Sequence, residues 1–201
     1  MTARRVYLVR HGATAGDAAL RFVGSTDLPL GRDGEQQALR LRAALRRAAI
    51  GAAWCSDLER SRRTAEIILD GRGIPLHECQ GLREVAMGAW EGRLRSEVAT
   101  AFPAEFHARG EDLEHYRVPG GESLGDCRGR VLAAWTGIVG FSSADALIVG
   151  HAGVNRLLLC HLLGMPPANL FRLGQDPGCL NIIQSAAGGW RVALLNWPDA
   201  T

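Results

Sequence analysis

The chain opens with an apolar run, Val6-Tyr7-Leu8-Val9, that stops at Arg10-His11-Gly12. Four apolar residues are too few for a helix and two are β-branched, so the run predicts a buried strand that delivers Arg10 and His11 at its C-terminal end. Open α/β sheets bind ligands at that end. The pattern recurs at Ala146-Leu147-Ile148-Val149, which stops at Gly150-His151-Ala152-Gly153. Val154, Leu157, Leu158 and Leu162 follow at helical spacing, predicting a helix over Gly153 to Leu163. If the two strands are parallel neighbours, both histidines emerge at one edge and face one crevice. The glycine beside each allows close backbone approach.

The stretches around and between these strands predict the remaining elements. Gly12 to about Gly34 has no clear period and reads as a long functional loop. Ala38, Leu41, Leu45 and Ala49 predict an amphipathic helix over Glu35 to Ile50, with arginines on its other face. Ala52 to Ser56 predicts a strand, and Asp57 to Leu69 a helix capped by Ser56 or Asp57, which puts Arg60 in its first turn. Ile74 to Cys79 predicts a third strand, and Leu82 to Gly92 a loop punctuated by glycine. A helix near Ser96 to Ala108 belongs to a short insertion, at about 86–121, over the sheet edge. Glu122 to Phe141 predicts a longer helix. Leu180 to Gln184 and Trp190 to Leu195 close the chain as two strands joined at Ala187-Gly188-Gly189. Strands alternating with helices give an α/β class, and 201 residues suit one domain with a sizeable core.

Composition narrows the chemistry. A hydrophobic share of 47% with 22% charged residues excludes a disordered chain. No apolar run approaches a membrane span, and the opening lacks a signal-peptide pattern, so a cytoplasmic location is expected, with no membrane partner. The five cysteines, at 55, 79, 127, 160 and 179, contain no C-x-x-C pair and indicate neither a disulfide framework nor a zinc site. A net charge of +2 gives no footprint for nucleic acid. All 23 basic side chains are arginine, which excludes Schiff-base lysine chemistry and a Walker loop and leaves the guanidinium fork as the anion clamp.

In sequence order, Arg10-His11-Gly12, Ser56-Asp57-Leu58-Glu59-Arg60 with Thr64-Ala65, Leu82-Arg83-Glu84 with Trp90-Glu91-Gly92, and Gly150-His151-Ala152-Gly153 together resemble the histidine phosphatase, or phosphoglycerate mutase-like, superfamily. The resemblance spans nearly the whole chain. It implies a three-layer architecture, a mostly parallel mixed sheet flanked by helices, with a phosphate pocket at the strand C-termini.

The side chains carry the chemistry such a pocket needs. A phosphomonoester is close to a dianion, so its charge must be neutralised before a nucleophile approaches, and Arg10 and Arg60 supply bidentate donors for that. His11 is the candidate nucleophile, a neutral imidazole with its other nitrogen fixed by a backbone carbonyl. By the resemblance, His151 would bind the phosphate oxygens and stabilise the transition-state charge, and Glu84 would protonate the leaving group and then activate water. No metal or cofactor is expected.

Two positions depart from the family pattern. Asp17 stands where many relatives carry asparagine. Val23-Gly24 stands where mutase relatives contact substrate through a small polar residue and glycine, which leaves Asp17 and Gly24 as substrate-binding candidates. Only 37 residues separate Glu84 from Glu122 and the sequence runs briefly past its last predicted strand, which favours water access and hydrolysis over mutase transfer.

The segment Leu163-Gly164-Met165-Pro166, Phe171-Arg172 and Gln175 to Ile183 resembles the C-terminal part of the α-ribazole phosphatases of cobalamin nucleotide-loop assembly. The implied substrate is α-ribazole 5′-phosphate, a small-molecule phosphomonoester, with Trp90, Phe102 and Phe106 as a candidate wall for its ring system. A broad-specificity phosphatase and a phosphoglycerate mutase-type phosphotransferase are the alternatives, and the oligomeric state is left open between monomer and homodimer. Two other classes fit the sequence less well. Gly121-Glu122-Ser123-Leu124-Gly125 formally matches the serine hydrolase elbow, but Val118-Pro119-Gly120 in place of a buried strand makes Ser123 a helix-entry residue. A non-catalytic phospho-ligand-binding module would have no use for both histidines, both arginines and the glutamate.

Overall fold

The computed structural model describes residues 3–16 and 20–197. Strand β1 (Arg5–Arg10) lies at the centre of the sheet, parallel to β4 (Asp145–Gly150), with Arg10 opposite Gly150. Beyond β4 run β2 (Ile50–Cys55) and β3 (Leu76–Glu78), both parallel. On the other side β5 (Leu180–Ala186) pairs antiparallel with β1, and β6 (Gly189–Trp197) antiparallel with β5. The order is β3-β2-β4-β1-β5-β6, a mixed sheet with four parallel strands.

Side chains alternate across the pleat, and each central strand feeds two cores. Val6 and Leu8 of β1, with Ala146 and Ile148 of β4, pack under α5 (Leu124–Phe141) and α6 (Ala152–Leu162), against Cys127, Val131, Trp135 and Leu157. Tyr7 and Val9, with Leu147 and Val149, pack under α1 (Arg32–Ala44) and α2 (Glu59–Leu69), against Leu41, Ala65 and Ile68. Burial on both faces is why β1 and β4 are continuous apolar runs. The three-layer α/β expectation holds, and the two histidine-bearing strands are neighbours.

Several boundaries differ from the periodicity. Helix α1 begins three residues before Glu35 and ends at Ala44; Ile50 is the first residue of β2. Helix α2 starts at Glu59 with Leu58 at its cap position and no side-chain cap, because Ser56 and Asp57 are engaged elsewhere. The helix expected near Ser96 to Ala108 is two, α3 (Arg95–Ala101) and α4 (Pro103–Glu111), since Pro103 cannot continue a helix and begins a new one. These helices pack on the 20–26 segment through a small core of Phe22, Trp90, Val98 and Val118. Ser123 caps α5, its hydroxyl accepting from the Asp126 N–H at 3.1 Å, with no strand before it, as expected of a helix-entry residue. Among the described residues no helix is long and apolar enough to cross a membrane.

Candidate active site

His11 and His151 each sit one residue past a central strand. The β1–β4 register therefore brings the imidazoles side by side, ring centroids 4.9 Å apart and planes inclined at 61°. His11 Nδ1 lies 2.7 Å from Gly12 O. A carbonyl only accepts, so the proton is assigned to Nδ1 and the lone pair to Nε2. Gly12 is needed because its backbone runs against the start of α1: a Cβ there would stand 2.4 Å from Gly34 O. Thr64 of α2 steadies the same turn, accepting from the Gly12 N–H at 3.1 Å and donating to Arg60 O at 2.7 Å.

His151 is held from β2. Its Nε2 lies 2.9 Å from Ser56 Oγ, which accepts from the Leu58 N–H at 3.1 Å. With the Ser56 hydroxyl hydrogen assigned to Nε2, the imidazole proton is assigned to Nδ1. That Nδ1 is buried and has no protein partner.

The two arginines are anchored by carbonyls rather than carboxylates. Arg10 donates from Nη1 to Gln175 O at 2.6 Å. Arg60, 1% exposed, donates from Nη1 to Thr26 O at 2.7 Å and from Nη2 to Gly24 O at 2.8 Å. In both, Nε is buried without a partner. Burial lowers each guanidinium from its ordinary value, while the Glu84 charge pushes back. Burial also holds His11 well below the ordinary histidine range, and the Arg10 and Arg60 charges add to it; His151 is lowered in the same way by burial, His11 and the two arginines. Both imidazoles are neutral at pH 7. A pair of neutral rings beside two cations is suited to receive an anion, one ring offering a lone pair and the other an N–H.

Glu84 faces this pair from the loop after β3. Its Oε2 accepts from the Gly153 N–H at the start of α6, and its Oε1 from the Val85 N–H, both at 3.0 Å. Beside it opens a cleft of about 410 Å³ lined by Ser25, Arg83, Gly121, Glu122 and Arg130 among others.

The structure thus gathers Arg10, His11, Arg60, Glu84 and His151 at one sheet edge. Gly24 is buried with its carbonyl turned onto Arg60, and a Cβ there would stand 2.0 Å from Val85 O. Asp17 lies outside the described residues. Trp90 corrects an expectation: it is 2% exposed in the core beneath the insertion and offers no wall to a ligand, whereas Phe106 is 38% exposed. Sequence reasoning missed the roles of Ser56, Gln175 and Glu91, all within quoted stretches. Glu91 accepts from Gly24, Ser25, Thr26 and Met87, bracing the segment that Arg60 grips. Burial opposes that carboxylate, but the donated hydrogen bonds outweigh it and hold its pKa below the ordinary value.

Residues 6–198 match the family model of the histidine phosphatase superfamily, branch 1. The chain is 34% identical, over 96% of its length and 96% of the relative's, to adenosylcobalamin/alpha-ribazole phosphatase of Salmonella typhimurium. It is 36% identical to the probable phosphoglycerate mutase GpmB of Erwinia tasmaniensis, over 81% of this chain and 76% of that one. The solved alpha-ribazole phosphatase of Shigella flexneri superposes with a TM-score of 0.87 at 29% identity, covering 96% of each chain. A match that runs from the first strand to the last makes this chain a member of the histidine phosphatase superfamily and a phosphatase of small phosphate esters.

Proposed function

We propose that the chain hydrolyses phosphomonoesters through a phosphohistidine at His11, with α-ribazole 5′-phosphate as its substrate. One observation carries the first part. Of the five buried side-chain polar atoms left without a partner among the described residues, three are Arg10 Nε, Arg60 Nε and His151 Nδ1, grouped around His11. Buried donors without partners cost about 1–3 kcal/mol each unless a ligand satisfies them. A phosphoryl group, with three non-bridging oxygens, satisfies all three donors.

In this reading the His11 Nε2 lone pair attacks phosphorus while the P–O bond to the organic group breaks. Arg10, Arg60 and His151 bind the equatorial oxygens as charge spreads over them. Glu84, which enters this step as the carboxylic acid, gives its proton to the departing alkoxide and is left as the carboxylate. The Glu84 carboxylate then takes a proton from water as that water attacks the phosphohistidine, releasing inorganic phosphate and freeing Nε2. The Gly12 carbonyl keeps the attacking tautomer in place throughout.

The substrate rests on different support: the names carried by the relatives in Salmonella and Shigella, and the resemblance of the Leu163 to Ile183 segment. Rapid acid quench with labelled substrate is expected to trap an acid-labile, base-stable phosphoenzyme that His11→Ala cannot form. Phosphate release from α-ribazole phosphate is expected to exceed that from phosphoglycerates, sugar phosphates and nucleotides in kcat/KM. Full activity in His11→Ala would overturn the mechanism; no preference for the ribazole ester would overturn the substrate alone.

A further inference from the structure

We propose that Arg130 and Glu122, on and just before α5, are positioning residues that hold Glu84 in register with the two histidines. The inference rests on the reading of Glu84 as proton donor. Neither residue touches His11 or His151 through any hydrogen bond, and nothing local in the sequence singles out Arg130 from its neighbours.

The observation is a guanidinium whose five N–H donors are all used. Nη1 donates to Gly81 O at 3.1 Å and Arg83 O at 2.6 Å, and Nη2 to Glu84 O at 3.1 Å. Nε and Nη2 grip the Glu122 carboxylate at 2.9 and 2.5 Å. A guanidinium has no sixth donor, so Arg130 is committed entirely to this loop. Glu122 completes the clamp: its Oε2 accepts from the Ala86 N–H at 3.0 Å, and its own N–H donates to Ala86 O at 3.1 Å. Residues 81–86 are therefore tied at four carbonyls and one N–H to a single ion pair. The pair is mostly screened from water, with 25% and 19% of its side chains exposed.

The geometry suits positioning better than general stability. The Glu84 carbonyl is pinned from α5 by Arg130, and its carboxylate from the start of α6 by the Gly153 N–H. Helices α5 and α6 share one core, in which Leu124, Cys127 and Val131 pack with Val154, Leu157 and Leu158. Glu84 is thus held at its backbone from α5 and at its carboxylate from α6, two helices packed in one core, and α6 also carries His151 at its cap. Glycines let the loops close on each other: a Cβ on Gly121 would stand 2.5 Å from Ala86 O. On the far side Arg83 forks onto Asp57 at 2.7 and 2.5 Å, which ties the loop to the segment before α2 as well. A proton donor needs placement to within a fraction of an ångström, and a shift of about 1 Å can cost up to about 10²-fold.

The test separates positioning from bulk stability through the leaving group. Arg130→Gln is compared with Glu84→Gln on an alkyl phosphate, whose leaving group needs a proton, and on nitrophenyl phosphate, whose leaving group does not. Arg130→Gln is expected to lower kcat on the alkyl ester by about 10- to 100-fold and on the aryl ester by less than about 3-fold, with KM little changed. Glu122→Gln, which keeps the shape of its side chain, is expected to move in the same direction by about 3- to 10-fold and serves if Arg130→Gln folds poorly. The double variant Glu84→Gln, Arg130→Gln is expected to be no slower on the alkyl ester than Glu84→Gln alone, since both act through one proton transfer. Equal losses on both esters in the two clamp variants, with Glu84→Gln still selective, would overturn the positioning role by itself. An unselective Glu84→Gln would overturn the proton-donor reading and this inference with it.

Discussion

Replacing Arg60 by lysine keeps one positive charge and changes only how many donors it brings and where. In the native site two of the five N–H groups serve Thr26 O and Gly24 O at 2.7 and 2.8 Å, and three remain, Nε among them, with the whole residue 1% exposed. An ammonium has three donors on a shorter, non-planar head. If it satisfies both carbonyls, one donor is left for the phosphoryl group where the fork offered up to three. The loss is one to two charge-assisted hydrogen bonds to the transition state, at about 1.5–3 kcal/mol each, or about 3 kcal/mol in all. At about 1.4 kcal/mol per decade, kcat/KM is expected to fall by about 10²-fold. Because Arg60 acts on the phosphoryl oxygens and not on the leaving group, alkyl and aryl phosphates are expected to lose equally. Steady-state kinetics on both esters measures this, with vanadate affinity and the thermal midpoint as controls. If the lysine instead serves phosphate first, Gly24 O or Thr26 O is left unpaired in the interior and the midpoint drops. A loss below about fivefold in kcat/KM at an unchanged midpoint would refute the assignment of Arg60 to the phosphate. A loss confined to the alkyl ester would place its action on the leaving group instead.

Other outcomes follow from the same geometry. Glu84→Gln is expected to slow alkyl phosphates by about 10²–10⁴-fold and nitrophenyl phosphate far less, and equal losses would remove it from the acid role. Gly153→Ala would set a Cβ 2.5 Å from Glu84 Oε1, so it is expected to reproduce that selectivity at about a tenth of the size, read in the same pair of assays. Burial and the arginines hold His11 and His151 below the ordinary histidine value of about 6.5, so the unfolded chain binds more protons as pH falls through that value. Their contribution to stability is whole above it and declines below it, by up to about 1.4 kcal/mol per pH unit for each ring until its folded-state pKa is passed. Urea unfolding from about pH 7.5 to about pH 5 is expected to show this slope, and His11→Ala to remove about half of it; an unchanged slope in the variant would contradict the buried neutral ring.

The elements legible in the sequence were those with a strong local period. Strands β1 and β4 were readable because burial on both faces leaves an unbroken apolar run, and the run's end fixes where the histidines emerge. Helix ends were not readable: Glu35 lies inside α1, Ser56 bonds to His151 instead of capping α2, and Asp57 is taken by Arg83. Pro103 should have divided the insertion helix on sequence grounds alone. Trp90 was misread because an aromatic residue in a glycine-punctuated loop looks available, whereas Phe22, Val98 and Val118 close over it from other parts of the chain.

By itself the sequence determined which residue types are present, the strand ends that bear Arg10, His11 and His151, and the family those residues resemble. Only the tertiary structure decided what each group is bonded to. Arg130 reaches Glu84 O from 46 positions away, and the Gly153 N–H reaches the Glu84 carboxylate from 69. The physical reason is that side-chain periodicity is imposed by near neighbours, while a hydrogen-bond partner is selected by packing. The Gly12 carbonyl lies one residue from the ring it orients, and a partner that close could be anticipated. The donors left without partners around His11 could not, because being unpaired is a property of the whole folded interior.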